Sequence, residues 1–299
     1  MTVRILQFGT TGQLARELLA QAKDFDVEIT ALSRAEADFA DTAAVLQRLK
    51  GADADLVVLA AAYTAVDLAE SERELAFAVN AETPAAIAKA LGAGGPALVQ
   101  VSTDYVFSGD KGAPYVESDE TGPLNVYGAS KLAGEQAILA ACPRALILRT
   151  SWVVSSHGKN FVKTMLRAVG EGRALKVVDD QYGRPTAARD LARFILSQAA
   201  RLAAAKAGDP VFGVHHFANA GEVTWKGFAD GIFAIALGPE APQVASGATA
   251  DWPAPARRPI RGTLDTAKLE RTFGVTLRPW REAVAEIVSE LQAEQRSAA

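Results

Sequence analysis

Short apolar runs alternate with longer amphipathic stretches along the first half of the chain. Runs rich in β-branched residues predict strands, which are Val3–Gly9, Val27–Ser33, Asp55–Ala62, a run that starts at Ala97, and Arg144–Val154. Helical patterns cover Gln13–Lys23, Thr42–Ala52, a stretch with an expected bend near Pro84, a segment that starts at Tyr127, and Trp280–Gln295. Strands that alternate with helices in this way are typical of βαβ units around a parallel sheet.

This alternation predicts an α/β fold with a doubly wound, Rossmann-type sheet over residues 1–150. After Trp152 the pattern becomes irregular, with loops rich in glycine and proline. We therefore expect a smaller C-terminal domain that binds the substrate, built from residues 151–186 and 221–299. Parts of residues 187–220 are expected to return to the first domain.

The composition excludes several classes of protein. Of 299 residues, 49% are hydrophobic and 22% are charged, which is typical of a globular protein, and the formal net charge of -4 argues against a nucleic-acid or anionic-membrane partner. No apolar run approaches the length of a membrane span, and a single cysteine, Cys142, excludes an intramolecular disulfide. The chain begins directly with a predicted strand, so we expect a cytoplasmic protein.

The turn after the first strand carries small residues at regular spacing. Gly9, Gly12 and Ala15 form G-x-x-G-x-x-A where a strand is expected to give way to a helix. Such a turn lets the backbone approach a pyrophosphate and presents the positive end of the helix to it. An ordinary strand-to-helix turn is the alternative, but its place in the first βαβ unit favours a dinucleotide site.

The end of the second strand bears on which dinucleotide is used. An acidic residue is typical of NAD sites at this point, whereas this chain has Ser33 and Arg34. Arg34 can pair with a 2′-phosphate and Ser33 can donate to it, which favours NADPH and leaves NADH possible. A solvated surface arginine is the alternative.

Two further patterns suggest chemistry. Ser102, Thr103 and Asp104 follow the fourth predicted strand, at the sheet edge where ligands bind, although such residues also cap turns. Tyr127 and Lys131 are four residues apart, so they share one face of a helix, and a solvated pair is the alternative. If the lysine lowers the tyrosine pKa, Tyr127 can donate a proton to a carbonyl oxygen that Thr103 holds.

Several longer segments carry a family resemblance. The glycine turn, Thr103 and the Tyr-x-x-x-Lys pair resemble the extended short-chain dehydrogenase/reductases. The segments AAYTAVDLAE, VNAETPAAIA, STDYVFSG, NVYGASKLAGE and DQYGRPT occur in this order and resemble, over nearly the whole chain, the dTDP-4-dehydrorhamnose reductase family within that superfamily.

The resemblance implies a reaction and a set of residues. It implies NADPH-dependent reduction of the C4 ketone of dTDP-4-dehydro-L-rhamnose to dTDP-L-rhamnose, the last step in making this activated sugar for cell-surface polysaccharide. The implied catalytic residues are Thr103, Tyr127 and Lys131. The implied substrate residues are Val66, Thr103, Asp104, Tyr105, Tyr127, Trp152 and Arg258. The implied cofactor residues are Gly9, Thr11, Gly12, Gln13, Leu14, Asp38, Phe39, Ala60, Ala61, Tyr63, Tyr127 and Lys131, besides Ser33 and Arg34.

The chain also departs from that family. Some relatives bind Mg²⁺ at a dimer interface, and Glu17 matches one ligand, but Arg189 stands where an acidic ligand is expected, so we expect no metal. A monomer and a homodimer both remain open. Arg257, Arg258 and Arg261 are candidates for the substrate diphosphate, with a solvated basic loop as the alternative.

Two other functions compete with a reductase. A nucleotide-sugar epimerase or dehydratase would share the fold, but a dehydratase needs additional acid and base groups, and no glutamate follows Asp104. A non-enzymatic, cofactor-binding regulatory subunit would not need Thr103, Tyr127 and Lys131, and all three are present.

Overall fold

A computed structural model describes residues 2–298 and gives the bounds of each element. The strands are β1 Val3–Phe8, β2 Val27–Leu32, β3 Leu56–Leu59, β4 Ala97–Thr103, β5 Ala145–Thr150, β6 Val153–Val154, β7 Lys176–Val178, β8 Tyr182–Gly183, β9 Thr186–Ala187, β10 Gly213–His216, β11 Val223–Thr224 and β12 Ala245–Gly247. The α-helices are α1 Gln13–Gln21, α2 Thr42–Lys50, α3 Val66–Ala69, α4 Arg73–Phe77, α5 Thr83–Leu91, α6 Val126–Ala141, α7 Phe161–Gly170, α8 Ala188–Ala204, α9 Trp225–Leu237, α10 Ala267–Phe273 and α11 Trp280–Ala298.

A central sheet of six parallel strands organises the first half of the chain. The strand order is β10-β5-β4-β3-β1-β2, so the direction of winding reverses between β1 and β3. All four residues of β3 are buried, because helices cover both faces of the sheet. The predicted doubly wound α/β fold is confirmed. Ligands bind such a sheet at the carboxyl edge, beside the reversal of strand order.

Each face of the sheet has its own apolar core. On one face, α1 and α8 bury Leu18, Leu191 and Ile195 against the strands. On the other face, α2, α5 and α6 contribute Val45 and Ile87, among others. The two cores fix the strand ends, and therefore the loops that leave the carboxyl edge.

A third apolar cluster lies beside the sheet, in residues 151–186 and 221–298, here termed the second unit. Helices α7, α9 and α11 pack together there, around fully buried residues such as Phe228, Ile232 and Phe233. Residues 187–220 behave differently, since α8 packs on α1 and β10 pairs with β5 in the central sheet. The two-domain division remains a prediction, and this packing favours it.

Two elements differ from the expected ones. The predicted strand Arg144–Val154 is wrong in its second half, because Trp152 has a left-handed backbone with φ 46°, which breaks the strand after Thr150. The bend near Pro84 takes the form of a π-helical turn, Ala78–Glu82, that ends just before the proline. Proline has no backbone N–H, and its ring would clash with the preceding turn of an α-helix. The wider π-helical turn agrees with both constraints.

Among residues 2–298, every helix is too short or too polar to cross a membrane.

Candidate active site

The glycine turn after β1 has the geometry of an anion site. Gly9 has φ 100°, and a Cβ atom on it would lie 3.0 Å from the backbone nitrogen of Ala61, so only glycine fits between the ends of β1 and β3. Gly12 caps α1 without a side-chain hydrogen bond, and no acidic residue lies in the first turn. The free N–H groups of this helix end therefore fit the pyrophosphate of a dinucleotide.

The neighbouring predicted cofactor residues divide into exposed and buried groups. Thr11 is exposed beside Gly12, whereas the Leu14 side chain is buried in the core. The Gln13 amide donates to the carbonyl oxygen of Val153 at 3.1 Å and accepts from Ser155 at 3.0 Å. The Gln13 side chain thus joins α1 to the segment around Val153.

The turn after β2 holds Arg34 in an exposed ion pair. The Arg34 guanidinium pairs with Asp38 at 3.0 Å, and its side chain is 79% exposed. Ser33 Oγ donates to Glu36 Oε2 at 2.7 Å. Phe39 is buried edge-on against Phe8 and cannot present its ring to solvent. Sequence reasoning missed Glu36, although an acidic residue near the end of β2 is the usual selector for NAD.

The segment after β3 is held by an asparagine that the sequence analysis did not single out. Ala60 and Ala61 line the Gly9 turn. Asn80, in the π-helical turn, accepts from the backbone nitrogen of Tyr63 at 2.9 Å and donates to its carbonyl oxygen at 3.0 Å. The second donor contact of Asn80, to Ser130 Oγ at 3.0 Å, ties this segment to α6.

Thr103, Tyr127 and Lys131 meet at the carboxyl edge of the sheet. Thr103 ends β4, and its side chain lies close enough to Tyr127 to influence the pKa of the phenol. Lys131 lies one turn further along α6 and is buried, with Nζ donating to the carbonyl oxygen of Val101 at 2.6 Å. The three side chains therefore lie together, as the sequence predicted.

The expected electrostatic effect of Lys131 is wrong. Burial raises the pKa of Tyr127 to about 12, with a smaller opposing effect from Thr103, and Lys131 does not contribute. The cause is local, because the Lys131 ammonium group bonds to the strand carbonyl and burial lowers its own pKa to about 8. Tyr127 is therefore fully protonated at neutral pH.

The N-terminus of α6 is fixed by three contacts. Asn125 Oδ1 accepts from the Gly128 nitrogen at 2.8 Å, and Glu70 accepts from the Val126 nitrogen at 2.8 Å. Asn125 Nδ2 donates to the carbonyl oxygen of Arg257 at 2.7 Å, which links the helix to a loop of the second unit. The reactive end of α6 is therefore held from both units.

Small residues in α6 let the helix pack closely against neighbouring segments. A Cβ atom on Gly128 would lie 2.2 Å from the carbonyl oxygen of Tyr105, and one on Gly134 would lie 2.1 Å from that of Asn80. Ser130 is also fully buried. Helix α6 uses them to approach the neighbouring backbone.

Asp104 and Tyr105 continue the site from Thr103. Asp104 is 3% exposed and accepts from Thr103 Oγ at 3.0 Å, and burial raises its pKa to about 7. The Tyr105 ring packs edge-on against Tyr127 at 5.7 Å, and burial raises its pKa above the ordinary value. Val66 begins α3 and is half-buried.

A cavity of about 1300 Å³ extends from Tyr105 into the second unit. Its aromatic lining includes Tyr182, Trp225 and Trp252. Trp152 stacks on Trp225 with the ring centroids 3.6 Å apart, so it supports that wall from behind. Trp225 was not identified from the sequence, where it resembles any apolar residue of a helix.

The arginines of the second unit differ in their pairing. Arg258 donates to Asp67 at 2.7 Å, and Arg261 forms two hydrogen bonds to Glu222 at 2.9 and 2.6 Å. Arg257 lines the same cavity and is exposed. The three cations predicted for a diphosphate thus share one cavity, but two of them already hold carboxylates.

Comparison with known proteins identifies the family. The RmlD substrate binding domain family matches residues 3–293. The chain belongs to this family. A dTDP-4-dehydrorhamnose reductase of Sinorhizobium fredii is 43% identical over 99% of this chain and 100% of its own length. As a member of this family, the chain is an NAD(P)H-dependent oxidoreductase.

Solved structures of reductases from the same family have the same architecture. A dTDP-4-dehydrorhamnose reductase of Clostridium acetobutylicum is 36% identical with a TM-score of 0.88, and covers 97% of this chain and 99% of its own. One from Bacillus anthracis, solved in complex with NADP, is 34% identical with a TM-score of 0.88, and covers 97% of this chain and 100% of its own.

The place where some family members bind a metal contains a cation here. The Arg189 guanidinium lies 3.7 Å from Glu17 and 3.6 Å from Glu286, and it also pairs with Glu290. Within residues 2–298, no three carboxylate, histidine or cysteine side chains are arranged to hold a metal ion. The expectation of no metal stays a prediction, and the position of Arg189 gives it a physical reason.

Proposed function

We propose that the protein reduces the C4 ketone of dTDP-4-dehydro-L-rhamnose to an alcohol with NADPH, and so forms dTDP-L-rhamnose. The observation that carries this proposal is the meeting of Thr103, Tyr127 and Lys131 at the sheet edge. A turn that fits a pyrophosphate follows β1 at the same edge of the sheet, and Tyr105, whose ring packs against Tyr127, lines a cavity large enough for a nucleotide sugar. The names of the relatives supply the substrate.

In this proposal Tyr127 is the proton donor. Bound NADPH supplies a hydride to the ketone carbon. The phenol of Tyr127 gives its proton to the ketone oxygen as negative charge develops there. The raised pKa suits this direction, because a phenol that titrates near 12 carries its proton at neutral pH. An alkoxide is a stronger base than a phenolate, so the transfer remains favourable.

Thr103 and Lys131 prepare the site for that transfer. The Thr103 hydroxyl, near Tyr127 at the end of β4, is proposed to hold the ketone oxygen beside the phenol. Lys131 is the group that would hold the ribose next to the nicotinamide, with its ammonium oriented by the carbonyl oxygen of Val101. We do not assign to Lys131 a lowering of the Tyr127 pKa.

The remaining assignments follow the position of each residue. Asp104, Tyr105 and Arg258 are proposed to contact the sugar and its phosphates. Val66, at the start of α3, and Trp152, which stacks on Trp225, are the other two proposed substrate residues. The cofactor is proposed to contact Gly9, Thr11, Gly12, Gln13, Leu14, Ser33, Arg34, Asp38, Phe39, Ala60, Ala61 and Tyr63, besides Tyr127 and Lys131.

The test is a direct assay of turnover. The protein is incubated with NADPH and enzymatically prepared dTDP-4-dehydrorhamnose, and NADPH consumption is followed by absorbance. Tyr127→Phe removes the donated proton and is expected to lower kcat by about 10²-fold or more, while the Kd for NADPH stays near the wild-type value. Absence of turnover by the wild type would refute the proposed reaction. A wild-type kcat in Tyr127→Phe would refute the donor and leave the substrate standing.

A further inference from the structure

Helix α6 carries a carboxylate on the same face as Tyr127 and Lys131. Glu135 lies four residues after Lys131, one further turn along the helix, so the three side chains form one row. Lys131 is 3% exposed and Glu135 is 2% exposed. The row therefore runs from the proton donor into the protein as a phenol, an ammonium and a carboxylate.

The Glu135 carboxylate is fixed by an arginine of the sheet. Arg149, near the end of β5, donates from Nε to both carboxylate oxygens at 3.1 Å and from Nη2 to Oε2 at 2.7 Å. Its guanidinium also lies over the ring of Phe107, 5.0 Å from the ring centroid. A buried ion pair is often no more stabilising than apolar side chains of similar volume. The pair is therefore better explained by the effect of its carboxylate on a neighbour.

Lys131 is the neighbour that needs a negative charge. Its Nζ donates to the carbonyl oxygen of Val101 at 2.6 Å, which is a neutral acceptor. A buried ammonium group beside neutral partners tends to lose its proton. Burial lowers the pKa of Lys131 to about 8, and the charge of Glu135 opposes that effect. Without this charge, a large fraction of Lys131 would be a neutral amine at neutral pH.

The other titratable groups near this row do not supply that charge. The groups around Lys131 and Glu135 come from α6 and from the ends of β4, β5 and β10, and they are Tyr127, Asp104, Arg149 and His216. The phenol of Tyr127 is protonated at neutral pH, and burial lowers the pKa of His216 to about 3, so both are neutral. Asp104 titrates near pH 7, and its charge acts on Tyr105 and Tyr127.

We propose that Glu135 is a positioning residue that acts through Lys131. Its carboxylate, fixed by Arg149, keeps the buried ammonium charged for its contact with the cofactor ribose. A charged donor forms a stronger hydrogen bond to a hydroxyl than a neutral amine does. The inference rests on the proposed function for the ribose contact alone, because the effect of Glu135 on Lys131 is a property of the free protein.

The first test titrates Lys131 without cofactor. The protein is labelled with ¹³C at the lysine Cε, whose chemical shift follows the protonation of Nζ, and Lys131→Met identifies the signal. The wild-type midpoint is expected near pH 8. Glu135→Gln is expected to lower that midpoint by about one pH unit, and Glu135→Asp, which keeps the charge, should restore most of it. Glu171→Gln, the matched control in an exposed pair, should leave it unchanged.

A double variant protects this test against misfolding. Glu135→Gln leaves Arg149 without its anion, whereas Glu135→Gln combined with Arg149→Met replaces the pair by uncharged side chains, which folded proteins often tolerate. The double variant should also lower the Lys131 midpoint. The inference is overturned if the midpoint stays at its wild-type value in both variants, or if Asp104→Asn lowers it more than Glu135→Gln does.

The second test measures the consequence for cofactor binding. The Kd for NADPH is determined by nicotinamide fluorescence from about pH 6.5 to 9.5. It should rise as Lys131 loses its proton, near pH 8 in the wild type and about one pH unit lower in Glu135→Gln, so that affinity at pH 7.5 falls several-fold. A role in packing alone would not move this pH profile. A Kd that ignores pH while the Lys131 midpoint still moves would overturn the ribose contact in the proposed function, and with it the role of Glu135 in the reaction.

Discussion

Replacing Gly128 by alanine is expected to separate catalysis from stability. The added Cβ atom would lie 2.2 Å from the carbonyl oxygen of Tyr105 and 3.1 Å from Cβ of Pro123. The first distance is about 1 Å short of ordinary van der Waals contact, so the end of α6 or the Tyr105 backbone must shift by about that amount. Tyr127 is the adjacent residue, and a displacement of about 1 Å can lower the rate of a positioned group by about 10²-fold.

The stability change in the same variant is expected to be smaller. Overpacking costs about 1–3 kcal/mol, but alanine in a helix is about 1 kcal/mol more favourable than glycine, so the two effects partly cancel. The matched control is Gly170→Ala at the end of α7, where nothing lies within 4 Å of the added Cβ. It should leave kcat unchanged.

Three measurements decide the Gly128 prediction. Steady-state kinetics give kcat, fluorescence titration gives the Kd for NADPH, and thermal denaturation gives Tm. We expect kcat to fall by about 10²-fold, with a Tm change of a few degrees and a Kd near wild type. A kcat within threefold of wild type would show that the contact between α6 and Tyr105 does not position the proton donor.

Two further predictions concern buried charges. Glu135→Gln leaves Arg149 buried without its anion, so the free energy of unfolding, measured in urea, should fall by about 3–5 kcal/mol. The control Glu171→Gln removes a carboxylate from an exposed pair and should change the free energy of unfolding by less than about 0.5 kcal/mol. Equal losses in the two variants would contradict this prediction. Asp104 has a folded pKa of about 7 against an ordinary 3.8, so its burial destabilises the protein as pH rises from about 4 to 7. Relative to wild type, Asp104→Asn should gain roughly 3 kcal/mol between pH 4.5 and 8, and a pH-independent difference would be the contrary result.

The sheet was predictable because its pattern is local. Apolar runs such as Asp55–Ala62 need only be buried, and their alternation with helices leaves few topologies. The break after Thr150 was not predictable in this way. The left-handed backbone of Trp152 accompanies its stacking on Trp225, a residue far along the chain, and the run Arg144–Val154 alone favours one strand.

Predictions about the site failed for the same reason, namely contacts between residues far apart in sequence. Tyr127 and Lys131 were predicted to share a face, because helix periodicity sets that relation. The electrostatic effect of Lys131 was not predictable, because it depends on the carbonyl oxygen of Val101, on another element. The same holds for Arg258, whose carboxylate partner Asp67 is 191 residues away in sequence.

The cavity and the reactive residues belong to different parts of the chain, and this bears on how the protein can be changed. Thr103 comes from the sheet and Tyr127 from the helix α6 that covers it, whereas most of the cavity wall comes from residues 161–182 and 225–261. The wall can therefore be diversified, in evolution or in the laboratory, to accept other activated sugars while the proton donor stays in place. The hydrogen bond from the Asn125 side chain to the carbonyl oxygen of Arg257 joins the two parts. An exchanged wall must still present a carbonyl oxygen there if the reactive helix is to keep its position.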